Sequence, residues 1–225
     1  MKLLSIETAT EACSAALLND GEIIERFQIA PRQHNELILP MCEQVLAEAG
    51  VSVNQIDVLA FGCGPGAFTG LRIAASVTQA IALAHDLPVA CISTLANLAH
   101  QVNAQAGDRV MSAIDARMEE IYWAIYEMNS NSEMELLGEE KVQAPQDLEV
   151  LSNIKFGCGT GWQTYRNELS TKFMLEDNVI NGEALPRASI TAKLGYRSYQ
   201  AGDVVDAINA LPIYLRNQVV HQKNK

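Results

Sequence analysis

A six-residue motif occurs twice in this chain. FGCGPG at 61–66 returns as FGCGTG at 156–161, with one letter changed, and each copy closes a short apolar run. A second pair of markers lies upstream in the same order. KLLSIETAT (2–10) and RVMSAIDAR (109–117) both read as an apolar strand that ends near a carboxylate, Glu7 in the first and Asp115 in the second. Two markers repeated in one order, each in the same strand context, point to a duplicated unit. The carboxylates are offset by 108 positions (7 to 115) and the hexamers by 95 (61 to 156), so the second copy has lost residues.

Local patterns agree with a duplication. Residues 2–8, 13–18 and 22–29 read as strands, and Asn19-Asp20-Gly21 supplies a hairpin turn because Gly tolerates positive φ. Ile38, Met41, Cys42, Val45 and Ala49 form a helical stripe over 36–49, with Pro40 expected in its first turn or at a kink. IDVLAFGCG (56–64) reads as a buried strand, 71–84 as a helix stopped by Asp86-Leu87-Pro88, PVACIS as a strand, and 94–104 as a helix. After Gly107 the series restarts, with strands at 109–117, IYWAIYEM and EMELLGEEKV. The expected fold class is α/β in two duplicated lobes, 1–106 and a reduced 107–225. Each is a three-stranded meander followed by strand–helix units, and the last helix returns to the first lobe. The tail NQVVHQKNK reads as frayed.

Composition narrows the function. A net charge of −11 disfavours a protein that binds nucleic acid alone, since phosphate contacts need clustered Lys and Arg. Five cysteines (13, 42, 63, 91 and 158) without a CxxC suit a reducing cytoplasm. No apolar run approaches the length of a membrane span, and Glu7 interrupts any signal-peptide core.

Two readings of the glycine turn stand. A Walker loop is excluded because no Lys-Ser/Thr follows the glycines. Gly62-x-Gly64-x-x-Ala67 fits a dinucleotide fingerprint in letters, but Asp86 precedes the next strand where the ribose-binding acid should end it, and Pro65 removes an amide. What remains is weak anion affinity at a helix N-terminus, or a strand-to-helix turn in which Gly66 and Gly70 permit close packing. Glu7 and Asp115 likewise have two readings. Either they face one another across a cleft and hold magnesium on a nucleotide, with Thr8, Gly64 and Gly66 beside them, or each caps a turn. The four histidines (34, 85, 100 and 221) lack metal-binding spacing, no G-x-S-x-G elbow is present, and Asn35 is expected to cap the helix after it.

LLSIETAT, GCGPGAFTGLRIA, LPVACISTLANLA, IDARMEEIYWAIY and PIYLR together resemble the bacterial TsaB family of tRNA threonylcarbamoyladenosine biosynthesis proteins, also called YeaZ, over nearly the whole chain. The resemblance implies the actin/Hsp70/sugar-kinase-like (ribonuclease H-like) fold and a non-catalytic role. It implies pairing with a TsaD-type transferase, which binds metal, and with a TsaE-type ATPase. ATP and metal then belong to those subunits, this chain needs no cofactor, and tRNA is met only through the complex. TsaD-type chains carry H-x-x-x-H after the strand matching PVACIS, whereas here STLANLAH leaves His100 alone. The alternative is an ATP-dependent phosphotransferase using the cleft; a metallopeptidase lacks ligands.

The partner surface is expected on helices 36–49 and 71–84, through Ile38, Met41, Cys42, Val45, Leu71, Ala74, Ala75, Thr78 and Ala82. The second helix is apolar on most sides, and its small residues let another helix approach. The same face would support a weaker homodimer of the chain alone.

Overall fold

The computed structural model describes residues 1–149 and 152–216, so the tail NQVVHQKNK lies outside the described residues. Strand β1 (Lys2–Glu7) pairs antiparallel with β2 (Ala12–Asn19), which pairs antiparallel with β3 (Glu22–Ile29). The β2–β3 turn takes Asp20 at φ 49° and Gly21 at φ 97°, the left-handed pair that a two-residue hairpin demands. Helix α1 (His34–Glu48) follows. Strand β4 (Val58–Gly64) then runs parallel to β1, helix α2 (Phe68–His85) returns, and β5 (Val89–Ser93) lies parallel to β4. The sheet order is β3-β2-β1-β4-β5.

The second half repeats that order. Helix α3 (Thr94–Ala99) leads to β6 (Arg109–Arg117), β7 (Glu120–Met128) and β8 (Met134–Gln143), an antiparallel meander. Strand β9 (Ile154–Cys158) lies parallel to β6, followed by α4 (Thr160–Thr164), α5 (Arg166–Phe173), β10 (Ile180–Asn181) and α6 (Ala188–Ala201). Read from the meander, the sheet order is β8-β7-β6-β9-β10, matching the first. The chain is therefore an α/β protein of duplicated actin-like, ribonuclease H-like architecture. The reduction sits between β8 and β9, where the counterpart of α1 is missing and only a 3-10 turn at Pro145–Asp147 appears among the described residues.

Both halves bury each sheet between layers. On one face of the first sheet, Ile38, Met41 and Val45 of α1 and Ala74, Ala75 and Ala82 of α2 pack on Leu4, Ile6, Leu59 and Phe61. The opposite face, with Leu3, Val58, Ala60 and Ala90, is closed by Ala192 of α6, a helix from the other end of the chain. In return, Leu95, Leu98 and Ala99 of α3 pack on Val110, Ile114 and Tyr126 of the second sheet. The remaining face of that sheet holds Trp162, Leu169 and Phe173 against Met111, Trp123 and Ile125. The two lobes thus exchange one helix each.

Three local expectations change. Helix α1 starts two residues earlier than the stripe suggests, so Pro40 occupies its second turn. Gln33, not Asn35, is the N-cap residue, and no side chain caps there. Helix α3 stops at Ala99 instead of reaching 104.

Gly195 lets α6 reach the sheet, because a Cβ there would lie 2.5 Å from the Ala60 Cβ. Gly195→Val should therefore lower unfolding free energy by about 2 kcal/mol in urea denaturation. The exposed control Gln200→Ala should stay within about 0.5 kcal/mol of the parent.

Candidate functional site

The glycine turn links β4 to α2, and its glycines are required by contact. Where Gly62 would carry a Cβ, the Glu7 carboxylate already sits, with Oε2 2.0 Å from that point. Side chains at Gly66 and Gly70 would strike the carbonyl oxygens of Ala9 and Thr8 at 2.4 and 2.0 Å. Gly64, at φ 126°, is backed by the Ile213 carbonyl oxygen, 2.5 Å from the Cβ position. The amide of Ala67 donates to Ala9 O (2.7 Å), that of Ile213 donates to Cys63 O (2.7 Å), and the Thr8 hydroxyl donates to Gly70 O (2.8 Å). An anion entering this turn would meet the carbonyl oxygens of Ala9 and Ile213, where a phosphate cradle presents N–H donors. The geometry favours the close-packed turn.

Glu7 is wholly buried at the end of β1. Its Oε1 accepts from the Ala9 amide (2.8 Å), and its Oε2 lies 3.4 Å from Thr191 Oγ1 on α6. Burial outweighs these bonds and pushes the carboxyl pKa from 4.5 up to about 7. The polar chain continues from Thr191 Oγ1 to Asn97 Nδ2 on α3 (2.9 Å), and Asn97 also bonds both backbone groups of Arg187. This chain joins β1 to both exchanged helices.

Asp115 is not the counterpart of Glu7. Ile6 lies opposite Phe61, whereas Val110 lies opposite Phe156. If the two phenylalanines are equivalent, Met111 stands where Glu7 does and Asp115 lies four residues further on. The glycines agree, for Gly66 rests on Ala9 and Gly161 on Ala113. The physical cause is hairpin length. Strand β6 pairs with β7 as far as Arg117–Glu120 and turns through Arg117, Met118 and Glu119 in left-handed geometry, whereas β1 leaves β2 at Glu7–Ser14. The Asp115 carboxylate accepts from the Arg117 amide (2.8 Å) and pairs with its guanidinium (3.1 Å), shaping the turn. Among the described residues Glu7 and Asp115 share no hydrogen-bond partner.

The nine side chains expected at a partner surface, Ile38, Met41, Cys42, Val45, Leu71, Ala74, Ala75, Thr78 and Ala82, are all buried in this chain. All but Leu71 and Thr78 belong to the core that α1 and α2 build on the first sheet, where the small residues of α2 permit close packing. At the edge of that packing lies a second set, only half covered. Ile73, Val77 and Ile81 are half-buried and spaced four apart on α2, beside half-buried Leu37 and Leu46 and exposed Leu39 on α1.

His34 Nε2 meets the Thr10 and Ala12 carbonyls at 2.8 and 3.2 Å, a satisfied core histidine. His100 Nδ1 bonds Ala96 O (2.8 Å), and burial lowers its pKa. Among the described residues no three His, Cys, Asp or Glu side chains cluster to hold a metal ion, and no helix is long and apolar enough to cross a membrane.

The residues that sequence reasoning missed form a strap. After Ile213 docks on the glycine turn, Tyr214 stacks on Phe68 with ring centroids 5.5 Å apart, and Arg72 lies 3.8 Å over the Phe68 ring. Arg216 then reaches the second lobe, donating to Ala116 O (2.9 Å) and pairing with Glu120. The signal was PIYLR itself, a dense apolar-and-arginine run near a polar end.

Residues 23–166 match the family model described as TsaD, tRNA N6-adenosine threonylcarbamoyltransferase. The chain is 38% identical over 229 residues to the tRNA threonylcarbamoyladenosine biosynthesis protein TsaB of Escherichia coli K12, covering 99% of this chain and 98% of that protein. It is 36% identical to TsaB of Haemophilus influenzae, with 99% and 97% covered. The solved structure of YeaZ from Pseudomonas aeruginosa superimposes with a TM-score of 0.86 at 40% identity, covering 95% of this chain and 99% of that one.

The raised pKa of Glu7 fixes a pH dependence. Between about 4.5 and 7 the folded chain holds a proton that the unfolded chain releases, so stability falls as pH rises through that window. Above it the deficit is about 3 kcal/mol. Glu7→Gln retains an acceptor for the Ala9 amide and has no charge to bury. Its stability relative to the parent should be near zero at pH 4 and rise toward pH 8, by urea denaturation at each pH; parallel curves would refute the assignment.

Proposed function

The chain belongs to the TsaB (YeaZ) family of tRNA threonylcarbamoyladenosine biosynthesis proteins, and on that premise we propose that it serves threonylcarbamoyl transfer to tRNA adenosine as a non-catalytic partner subunit. It binds and steadies a TsaD-type transferase, works with a TsaE-type ATPase in the cytoplasm, and meets tRNA only through the complex. The observation that carries this reading is the half-covered apolar edge of α1 and α2. Ile73, Val77 and Ile81 form a line of half-covered apolar side chains on a helix whose inner side is already buried. A helix of this kind gains by packing against a second protein, and a related subunit would present matching helices. A weaker homodimer through the same face is expected when the transferase is absent.

The chemistry of the interior supports a role without catalysis. The most perturbed carboxylate, Glu7, has no exposed surface from which to touch a substrate. Burial pushes the Cys13 thiol to about 11 and those of Cys42 and Cys158 to about 12, far from a reactive thiolate. The charge of −11 leaves tRNA contacts to other subunits.

The test is reconstitution on unmodified tRNA with threonylcarbamoyl-adenylate. The isolated chain should give no product, and the chain with both partner subunits should. Ser76→Arg and Ala80→Arg, exposed positions on α2 beside that line, should keep a native circular dichroism spectrum and lose at least about tenfold in co-purification with the transferase. Robust modification by this chain alone, or normal binding by both variants, would overturn the proposal.

A further inference from the structure

At the end of α2 farthest from the glycine turn, about 27 Å along the helix, lies a groove of about 460 Å³. Leu83, Leu87, Val204 and Ile208 give it an apolar lining. Leu83 and Ile208 are 79% and 76% exposed, far more than large aliphatic side chains need be on a chain with this much core. Its wall is built, not loose. The amide of Val89 donates to Val205 O (2.8 Å) and that of Val205 to Val89 O (2.9 Å), laying the 203–206 segment along the open edge of β5.

The electrostatics of the groove have one sign. Asp86 and Asp206 are both among its lining residues and both are exposed. Among the described residues neither has a Lys or Arg within ion-pair distance. The C-terminus of α2 points here too. Its Ala82 carbonyl accepts from the 86 and 87 amides, while those of Leu83, Ala84 and His85 accept no backbone N–H among the described residues, leaving the negative end of the helix dipole open. His85 lies in the last turn of the helix.

We propose that this groove docks a segment of another protein in which large apolar side chains are flanked by lysine or arginine. The apolar residues fill the space between Leu83 and Ile208, and the cations meet Asp86, Asp206 and the helix end. A second copy docking by a twofold contact fits poorly, because it would bring the same carboxylates to the same place. The groove opens at the C-terminal end of α2, and the apolar line of the proposed partner face ends about one turn earlier, at Ile81.

The test uses two fluorescein-labelled hexapeptides, one with two leucines between paired lysines and one with two leucines between paired glutamates. Fluorescence polarisation with the full chain should show the lysine peptide bound about tenfold more tightly. Leu83→Asp and Ile208→Asp, both surface positions, should each weaken it at least about fivefold with unchanged circular dichroism. Asp86→Asn should reduce both the affinity and its salt dependence. No binding of the lysine peptide, equal binding of both peptides, or binding that survives both aspartate variants would overturn the proposal. So would sedimentation showing that the groove holds a second copy of the chain, through a homodimer lost in Ile208→Asp.

Discussion

The close approach of α6 to the first sheet, with Gly195 seated on Ala60, is the contact on which the rest of this molecule depends. It carries a helix from the second half of the chain onto the first sheet, while α3 crosses to the second. Neither sheet has both faces covered by helices of its own half. Exposed sheet faces would leave Leu3 and Val58 on one side and Val110 and Ile114 on the other in water, each costing on the order of 1–3 kcal/mol. The halves are therefore folding partners, and the polar chain from Glu7 through Thr191 to Asn97 marks the point where both crossed helices meet the first strand.

This junction also accounts for the glycine turn. In a nucleotide-binding fold a turn between strand and helix presents amides to phosphate. Here the space is taken by the protein itself: the Glu7 carboxylate over Gly62, Thr8 and Ala9 under the first turn of α2, and the strap at Ile213 behind Gly64. Glycine is retained because backbone and carboxylate come too close for a side chain. The same residues that suggest ligand chemistry in the sequence are packing residues in the fold.

How much was legible follows from what each signal depends on. The duplication and nearly every strand could be read from the sequence, since FGCGPG and FGCGTG each end a strand and alternation within the meanders is local. The pairing of Glu7 with Asp115 was misread because similarity of letters does not report register; the longer β6–β7 hairpin moves Asp115 along by four residues. The nine core residues of α1 and α2 were read as surface because a helix apolar on most sides does not declare which side meets its own sheet. That choice is made by contacts with β1, β2 and β4 far along the chain. The strap and the Thr191–Asn97 link were hidden for the same reason, joining residues 94 or more positions apart.

What the fold leaves half-covered is an apolar line on α2 beside α1. The most direct measurement is amide hydrogen exchange by mass spectrometry, with and without the TsaD-type transferase. Segments 34–48 and 68–85 should gain the largest protection on mixing, with 109–143 unchanged. Protection confined to the β6–β8 meander, or none anywhere at concentrations where the two proteins co-purify, would contradict a partner role carried by α1 and α2.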